Sequence, residues 1–354
     1  MPADGLRFAE DWRALVDLDR LRAWMDDRGL GDGPIVAPQP LAGGTQNLLL
    51  RFDRRADSFV LRRPSGKPRT GADEAMRREA RILEALGASD VPHPRLLAAC
   101  GHSDVIGAPF YLMQAVEGFN PSLGLPSPFA DDPALRHRMG LALVDGAATL
   151  ARFDAAASGL SDLGRGEGFL QRQVGRWLRQ LASYAECEGW PGPRVLPGVE
   201  DVAARLTATL PPDAPLGLMH GDYHMANVLF HRDRPELAAI VDWELATIGD
   251  PLVDLGWILA TWPDRDGLQM GSVTPIQPWS GFPDRDALIA RYAETSGRDV
   301  RHIDWYERFA RFKLGIMLEG THARALGGRA DPATGRRLHA KAVALLAAAH
   351  GDAA

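Results

Sequence analysis

The stretch Leu218-Met219-His220-Gly221-Asp222-Tyr223-His224-Met225-Ala226-Asn227-Val228-Leu229-Phe230 decides the reading of this chain, together with Leu237-Ala238-Ala239-Ile240-Val241-Asp242-Trp243-Glu244 beyond it. The polar turn Arg232 to Glu236 is expected to fold the two runs into an antiparallel hairpin, with Asn227 beside Asp242. Asp222, Asn227 and Asp242 would then converge at one end of an otherwise apolar hairpin. An acid that closes a run such as Leu-Ala-Ala-Ile-Val is costly to bury unless a cation meets it.

A divalent metal on Asn227 and Asp242 meets that need. One carboxylate and one amide oxygen suit Mg²⁺, which keeps waters and takes phosphate oxygens for the rest of its shell. Asp222 remains as the group that orients or deprotonates a hydroxyl, and Asp222 and Asn227 have the Asp-x-x-x-x-Asn spacing of a phosphotransfer catalytic loop. The plainer alternative makes these acids loop and cap residues. Another is a metallohydrolase, since His220, Asp222 and His224 alternate and could face one way; zinc would want a further protein ligand nearby, and His231 would have to come back across the turn to serve.

Working outward, the first part of the chain reads as strands with one helix. Gln46–Phe52 and Ser58–Arg63 are β-leaning runs on either side of the turn Asp53–Asp57, and Phe110–Val116 is a further strand. Alternation puts Val60 and Arg62 on one face, with Phe59, Leu61 and Arg63 on the other. Asp73–Leu86 carries Met76, Leu83 and Leu86 on one helical face, and Glu79 falls within that apolar stripe, where burial demands a partner. Arg62 is the expected partner and the expected phosphate-facing cation, since Lys67 lies in the Pro64-Ser65-Gly66 turn rather than on a strand. Gly43, Gly44 and Thr45 precede the first strand of the hairpin, where glycine lets backbone amides approach phosphate oxygens.

From Pro133 on the character is helical, with helices expected over 133–157, 169–188, 199–210, 286–295 and 301–326. The expected class is α+β: an N-terminal nucleotide-binding lobe, residues 1–116, with a small antiparallel sheet and one helix, then a helical catalytic and substrate lobe, residues 117–354.

The chain of 354 residues carries 40 basic and 46 acidic side chains, a net charge of −6. No basic excess draws it to nucleic acid or an acidic membrane surface. Two cysteines fit a reducing cytoplasm better than a disulfide scaffold. Met1–Leu15 has no apolar stretch resembling a secretory signal, and Ala342–Ala349 is far below the roughly 20 residues that cross a bilayer. A cytoplasmic location is expected. Oligomeric state is not legible.

His220-Gly221-Asp222 with Asn227, Ile240-Val241-Asp242, and Gly249-Asp250-Pro251-Leu252-Val253-Asp254-Leu255 resemble the aminoglycoside phosphotransferase family, whose members share a protein-kinase-like bilobal fold. Phe59-Val60-Leu61-Arg62-Arg63-Pro64, Gly107 to Met113, Arg172-Gln173, Trp177 and Gly320-Thr321-His322-Ala323-Arg324-Ala325 resemble more closely the kinase-like domain fused to some acyl-CoA dehydrogenases. The similarity spans roughly Pro40 to Arg329. It implies Asp222 as catalytic base, Asn227 and Asp242 as metal ligands, and Arg62 paired with Glu79 as the phosphate cation. It further implies Gln114 to Val116 as an adenine-holding hinge with Met113 behind it, and Asp250 and Asp254 as braces of the catalytic loop.

Arginine stands at position 62 where the family usually has lysine, giving a planar fork in place of a point charge. The expected function is ATP- and Mg²⁺-dependent phosphorylation of a hydroxyl on a small molecule. A hydroxyacyl-CoA-like metabolite is favoured over an aminoglycoside because of the dehydrogenase-fused resemblance; the row Arg172, Arg176 and Arg179 is either a basic face for an anionic substrate or, more commonly, a solvated helix face. The alternative from another class is a catalytically silent nucleotide-binding module.

Overall fold

The computed structural model describes residues 11–41, 47–68, 70–263 and 276–351. The chain divides into two compact units, and two short later segments, Ala156–Leu160 and Ala238–Glu244, belong with the first unit, which otherwise ends at Gly118.

The first unit runs α1 (Leu18–Asp26), β1 (Val36–Pro40), β2 (Asn47–Arg54), β3 (Asp57–Pro64), α2 (Ala72–Leu86), β4 (Leu96–Cys100) and β5 (Phe110–Gln114). The strands form one antiparallel sheet in the order β1-β2-β3-β5-β4. The expected hairpin is present and slightly longer, pairing Leu49 with Arg62 and closing at Arg54 and Asp57.

Alternation along β2 turns Leu48, Leu50 and Phe52 into one core, where they meet Phe59 and Leu61 of β3, Phe110 and Leu112 of β5, and Leu21, Trp24 and Met25 of α1. Arg62 leaves β3 on the opposite face, toward α2. Every residue of β3 from Phe59 to Pro64 is buried, because both faces of this strand are covered. Asp73 and Glu74 in the first turn of α2 complement the helix dipole there. Met76, Glu79, Leu83 and Leu86 of α2 are all buried.

The second unit runs α3 (Pro133–Arg152), α4 (Phe169–Ser183), α5 (Val199–Ala208), β6 (Gly217–Met219), β7 (Val228–Phe230), the start of β8 (Leu237–Ile240), β9 (Thr247–Gly249), α6 (Leu252–Thr261), α7 (Arg285–Ser296), α8 (Ile303–Leu326) and α9 (Pro332–Gly351). The predicted helices agree with α3, α4, α5, α7 and α8 apart from their ends. Residues 153–157 lie outside α3, and Tyr184–Glu186 tightens into a 3-10 turn after α4. β6 pairs antiparallel with β9, and the His231 N–H to Glu236 carbonyl bond, 3.1 Å, closes the polar turn after β7.

α8 packs against both α6 and α9. Along α6 every residue from Leu252 to Ala260 is buried, so this helix has no polar face. No helix among the described residues is long and apolar enough to cross a membrane.

Candidate active site

In the first unit, Arg62 gathers three acids. Its Nε lies 2.9 Å from Glu79 Oε2 and its Nη2 lies 2.7 Å from Asp242 Oδ1 and 4.0 Å from Glu244 Oε2. Tyr111 donates its hydroxyl to Glu79 Oε2 at 3.0 Å. Side-chain exposure is 7% for Arg62 and 1% for Glu79, so the pair sits in a dry setting that strengthens it. Burial lifts the Glu79 carboxyl to about 6, even against the pull of Arg62. Burial acts on Arg62 in the opposite sense but is outweighed by the surrounding Tyr111, Glu79 and Asp242, which keep the guanidinium charged. Asp242 has a left-handed backbone, φ 67°, a conformation costly for a residue bearing a Cβ but better tolerated by Asp than by most.

Lys67 is exposed in its turn. Met113 is buried at the end of β5. The N–H of Gln114 is taken by Arg95 O and that of Ala115 by Ser58 O, which leaves the Val116 N–H as the next donor along this stretch. Gly43, Gly44 and Thr45 lie outside the described residues.

In the second unit, β6 delivers the chain into a loop braced by two helices, α6 and α8. Asp254, in the first turn of α6, accepts the N–H groups of His220 at 2.7 Å and Gly221 at 2.8 Å. Lys313 of α8 donates from Nζ to the Gly221 carbonyl at 2.6 Å while lying 4.1 Å from the Trp257 ring centre. Gly221 has φ +83°, and a Cβ there would stand 2.6 Å from the Leu245 carbonyl oxygen, so both the turn and the close approach require glycine. Burial pushes Lys313 down to about 8, partly offset by the charges of Asp222 and Asp254.

Asp250 does not brace this loop: it accepts the Leu252 N–H at the start of α6 and the Tyr306 hydroxyl.

The Asp222 carboxylate is held at both oxygens. Asn227 donates from Nδ2 to Asp222 Oδ2 at 3.0 Å and to the Asp222 carbonyl at 2.9 Å, and His224 Nε2 lies 3.3 Å from Oδ1. Burial would raise this carboxyl, but His224, Lys313 and His220 outweigh it and hold it near 2. The zinc triad read from the sequence does not form. His220 is fully buried and accepts the Asp222 N–H at Nδ1, so it caps the loop, and among the described residues the only cluster with metal-ligand proximity lies elsewhere.

Asp222 and His224 open on a cavity of about 360 Å³ inside the second unit, walled by apolar groups including Trp257 and Trp279, with Thr321 and Arg324 at its polar side. Arg324 Nη2 donates to Thr321 Oγ1 at 2.8 Å. Lys313, Thr321 and Arg324 had no assigned role in the sequence. The available signals were that Lys313 is one of three lysines in the chain and that Thr321 and Arg324 lie in the stretch Gly320 to Ala325, which carries part of the resemblance.

The sequence pattern of the phosphotransferase enzyme family matches residues 38–307. The chain belongs to this family. Acyl-CoA dehydrogenase family member 11 of Gallus gallus is 31% identical over 82% of this chain and 37% of its own length. Acyl-CoA dehydrogenase family member 10 of Mus musculus is 31% identical over 82% of this chain and 28% of its own. The chain thus spans about a third of these relatives.

Among solved structures, a Ralstonia eutropha JMP134 protein assigned to the aminoglycoside phosphotransferases is 27% identical with a TM-score of 0.77, covering 94% of this chain and 98% of that one. A ternary complex of aminoglycoside phosphotransferase APH(4)-Ia with AMP-PNP and hygromycin B has a TM-score of 0.61 at 14% identity, covering 94% of this chain and 98% of that one, and shows likeness of fold alone. This member of the phosphotransferase enzyme family therefore has the protein-kinase-like fold expected of it.

Proposed function

We propose that this chain is an ATP-dependent kinase that transfers a phosphoryl group to a hydroxyl of a small molecule. The observation that carries the proposal is Asp222: a carboxylate fixed by Asn227 and His224, kept ionised, and opening on a cavity of small-molecule size. In this role Asp222 orients the acceptor hydroxyl and takes its proton as the new bond forms. Lys313 and Asp254 hold the loop that presents Asp222, so positioning is settled before substrate arrives. Arg62, kept in place by Glu79, offers its fork to the phosphates of the nucleotide. Met113, Gln114 and Val116 take the adenine, and Gly43, Gly44 and Thr45 the phosphates.

Asn227 and Asp242 are the proposed magnesium ligands, and their chemistry fits. The Asn227 amide nitrogen is turned to Asp222, leaving its oxygen as the ligand atom, and Asp242 adds a carboxylate. When bound, the ion screens the charge of the transferred phosphate.

For the acceptor, the cavity's aromatic wall and the guanidinium of Arg324 favour a partly apolar hydroxylated compound carrying an anionic group, such as a hydroxyacyl-CoA, over a polycationic aminoglycoside. A screen of hydroxyacyl-CoAs, other hydroxy acids and aminoglycosides for acceptor-stimulated ADP release tests this. Stimulation by an anionic hydroxy compound is expected. Stimulation by aminoglycosides alone would overturn the acceptor class, and release of ADP by none of them would count against transfer itself.

A further inference from the structure

Three ligand-bearing side chains that the proposed kinase chemistry does not use meet on the side of α8 that packs against α9. Glu319 and His322 stand one helical turn apart on α8, His339 comes from α9, and one ligand atom of each lies within 4.8 Å of the other two. Glu319 is fully buried, at 0% exposure. Its Oε1 accepts from Trp190 Nε1 at 2.8 Å, and its Oε2 lies 2.7 Å from His339 Nδ1. The two imidazoles stack with centroids 4.5 Å apart and planes at 29°. His322 Nδ1 is buried and has no hydrogen-bond partner among the described residues.

An ion pair between Glu319 and His339 accounts for two of these residues only. It leaves a second imidazole stacked on the first with its inner nitrogen dry, and an unmet buried polar atom is costly. A cation between the three groups accounts for all of them.

Two imidazoles and one carboxylate are a ligand set suited to zinc, with the fourth position left to water. The Glu-x-x-His spacing on α8 places both of its ligands on one face, a device that helix bundles use for metals. Tetrahedral bonds of about 2.0–2.1 Å put ligand atoms about 3.4 Å apart, so side-chain rotation alone closes the remaining gap. Trp190 already fixes the second carboxylate oxygen, as the outer partner of a metal ligand does.

We propose that Glu319, His322 and His339 form a zinc site that ties α8 to α9. Zinc takes the lone pairs of Nδ1 on both histidines and one oxygen of Glu319, and a proton on His339 Nδ1 leaves to solvent. Thr321 and Arg324 sit on the same stretch of α8 and line the cavity, so the tie also steadies that wall.

The full chain, stripped with a chelator and then freed of it, is titrated with Zn²⁺ by calorimetry. One equivalent per chain is expected, and Co²⁺ should give the visible spectrum of a tetrahedral nitrogen–oxygen site. His322→Ala and His339→Ala should each weaken binding at least ~10-fold, with circular dichroism checking that each variant folds. If a variant does not fold, peptide mapping of histidine modification in the wild-type chain decides, with protection of His322 and His339 by zinc expected. Absence of saturable binding, binding of undiminished strength in the folded double variant, or protection confined to other histidines would overturn the site. None of these readouts depends on kinase activity.

Discussion

Asp222 is charged and aimed before any substrate is present, because His224 and Asn227 occupy its two oxygens and Lys313 adds positive charge nearby. On the proposed function, Asp222→Asn should lower turnover on the order of 10²- to 10⁴-fold while nucleotide binding is retained, read by kinetics and by calorimetry with ATP. An unchanged turnover would remove it from the role of base. Arg62 belongs to the same scale. Arg62→Met leaves Glu79 buried without its counter-charge and should cost about 3–5 kcal/mol in denaturant unfolding. Arg62→Lys keeps the charge but cannot span Glu79 and Asp242 with one ammonium, so a smaller loss and a raised KM for ATP are expected. Arg62 and Glu79 were both legible in the sequence, since strand alternation and an acid in an apolar helical stripe are local patterns. Lys313 was not: it is 92 positions from the carbonyl that it holds.

The loop after β6 owes its shape to α6 and α8, two elements that it does not belong to. Asp254→Ala strips the buried His220 and Gly221 amides of their acceptor, at about 1–3 kcal/mol for each amide left unmet. Lower stability and lower turnover are expected together, and a variant as stable as the wild type would show that the brace is dispensable. Helix α6 itself escaped the periodicity search, because a segment buried on all sides shows no amphipathic stripe. The short strands β1 and β4 escaped it too. Val36–Pro40 carries two prolines and is exposed or half-buried throughout, and only Cys100 of Leu96–Cys100 is fully buried, so neither shows a clean alternation. Strand β2 and helix α2 were legible because each has one face turned to a core, and β3 because it is a short β-leaning run set off from β2 by a polar turn.

Stability of the whole chain carries the mark of Lys313. Its folded-state value of about 8 lies below the ordinary 10.5, so within that window the unfolded chain binds more protons and stability rises with pH. Denaturant midpoints taken at the two ends of the window should therefore climb more in the wild type than in Lys313→Met, and equal slopes would assign the effect to another group. By itself the sequence carried the motifs whose resemblance points to the family, the class of fold, and Asp222, Asn227 and Asp242 as candidate site residues, because motifs are short and burial follows a local period. Asp254 behind the loop was already implied by the resemblance; only tertiary structure decided that Lys313 stands there too and that an apolar cavity with Arg324 on its polar side lies in front. Such pairings join positions tens of residues apart through packing, and no local pattern records them.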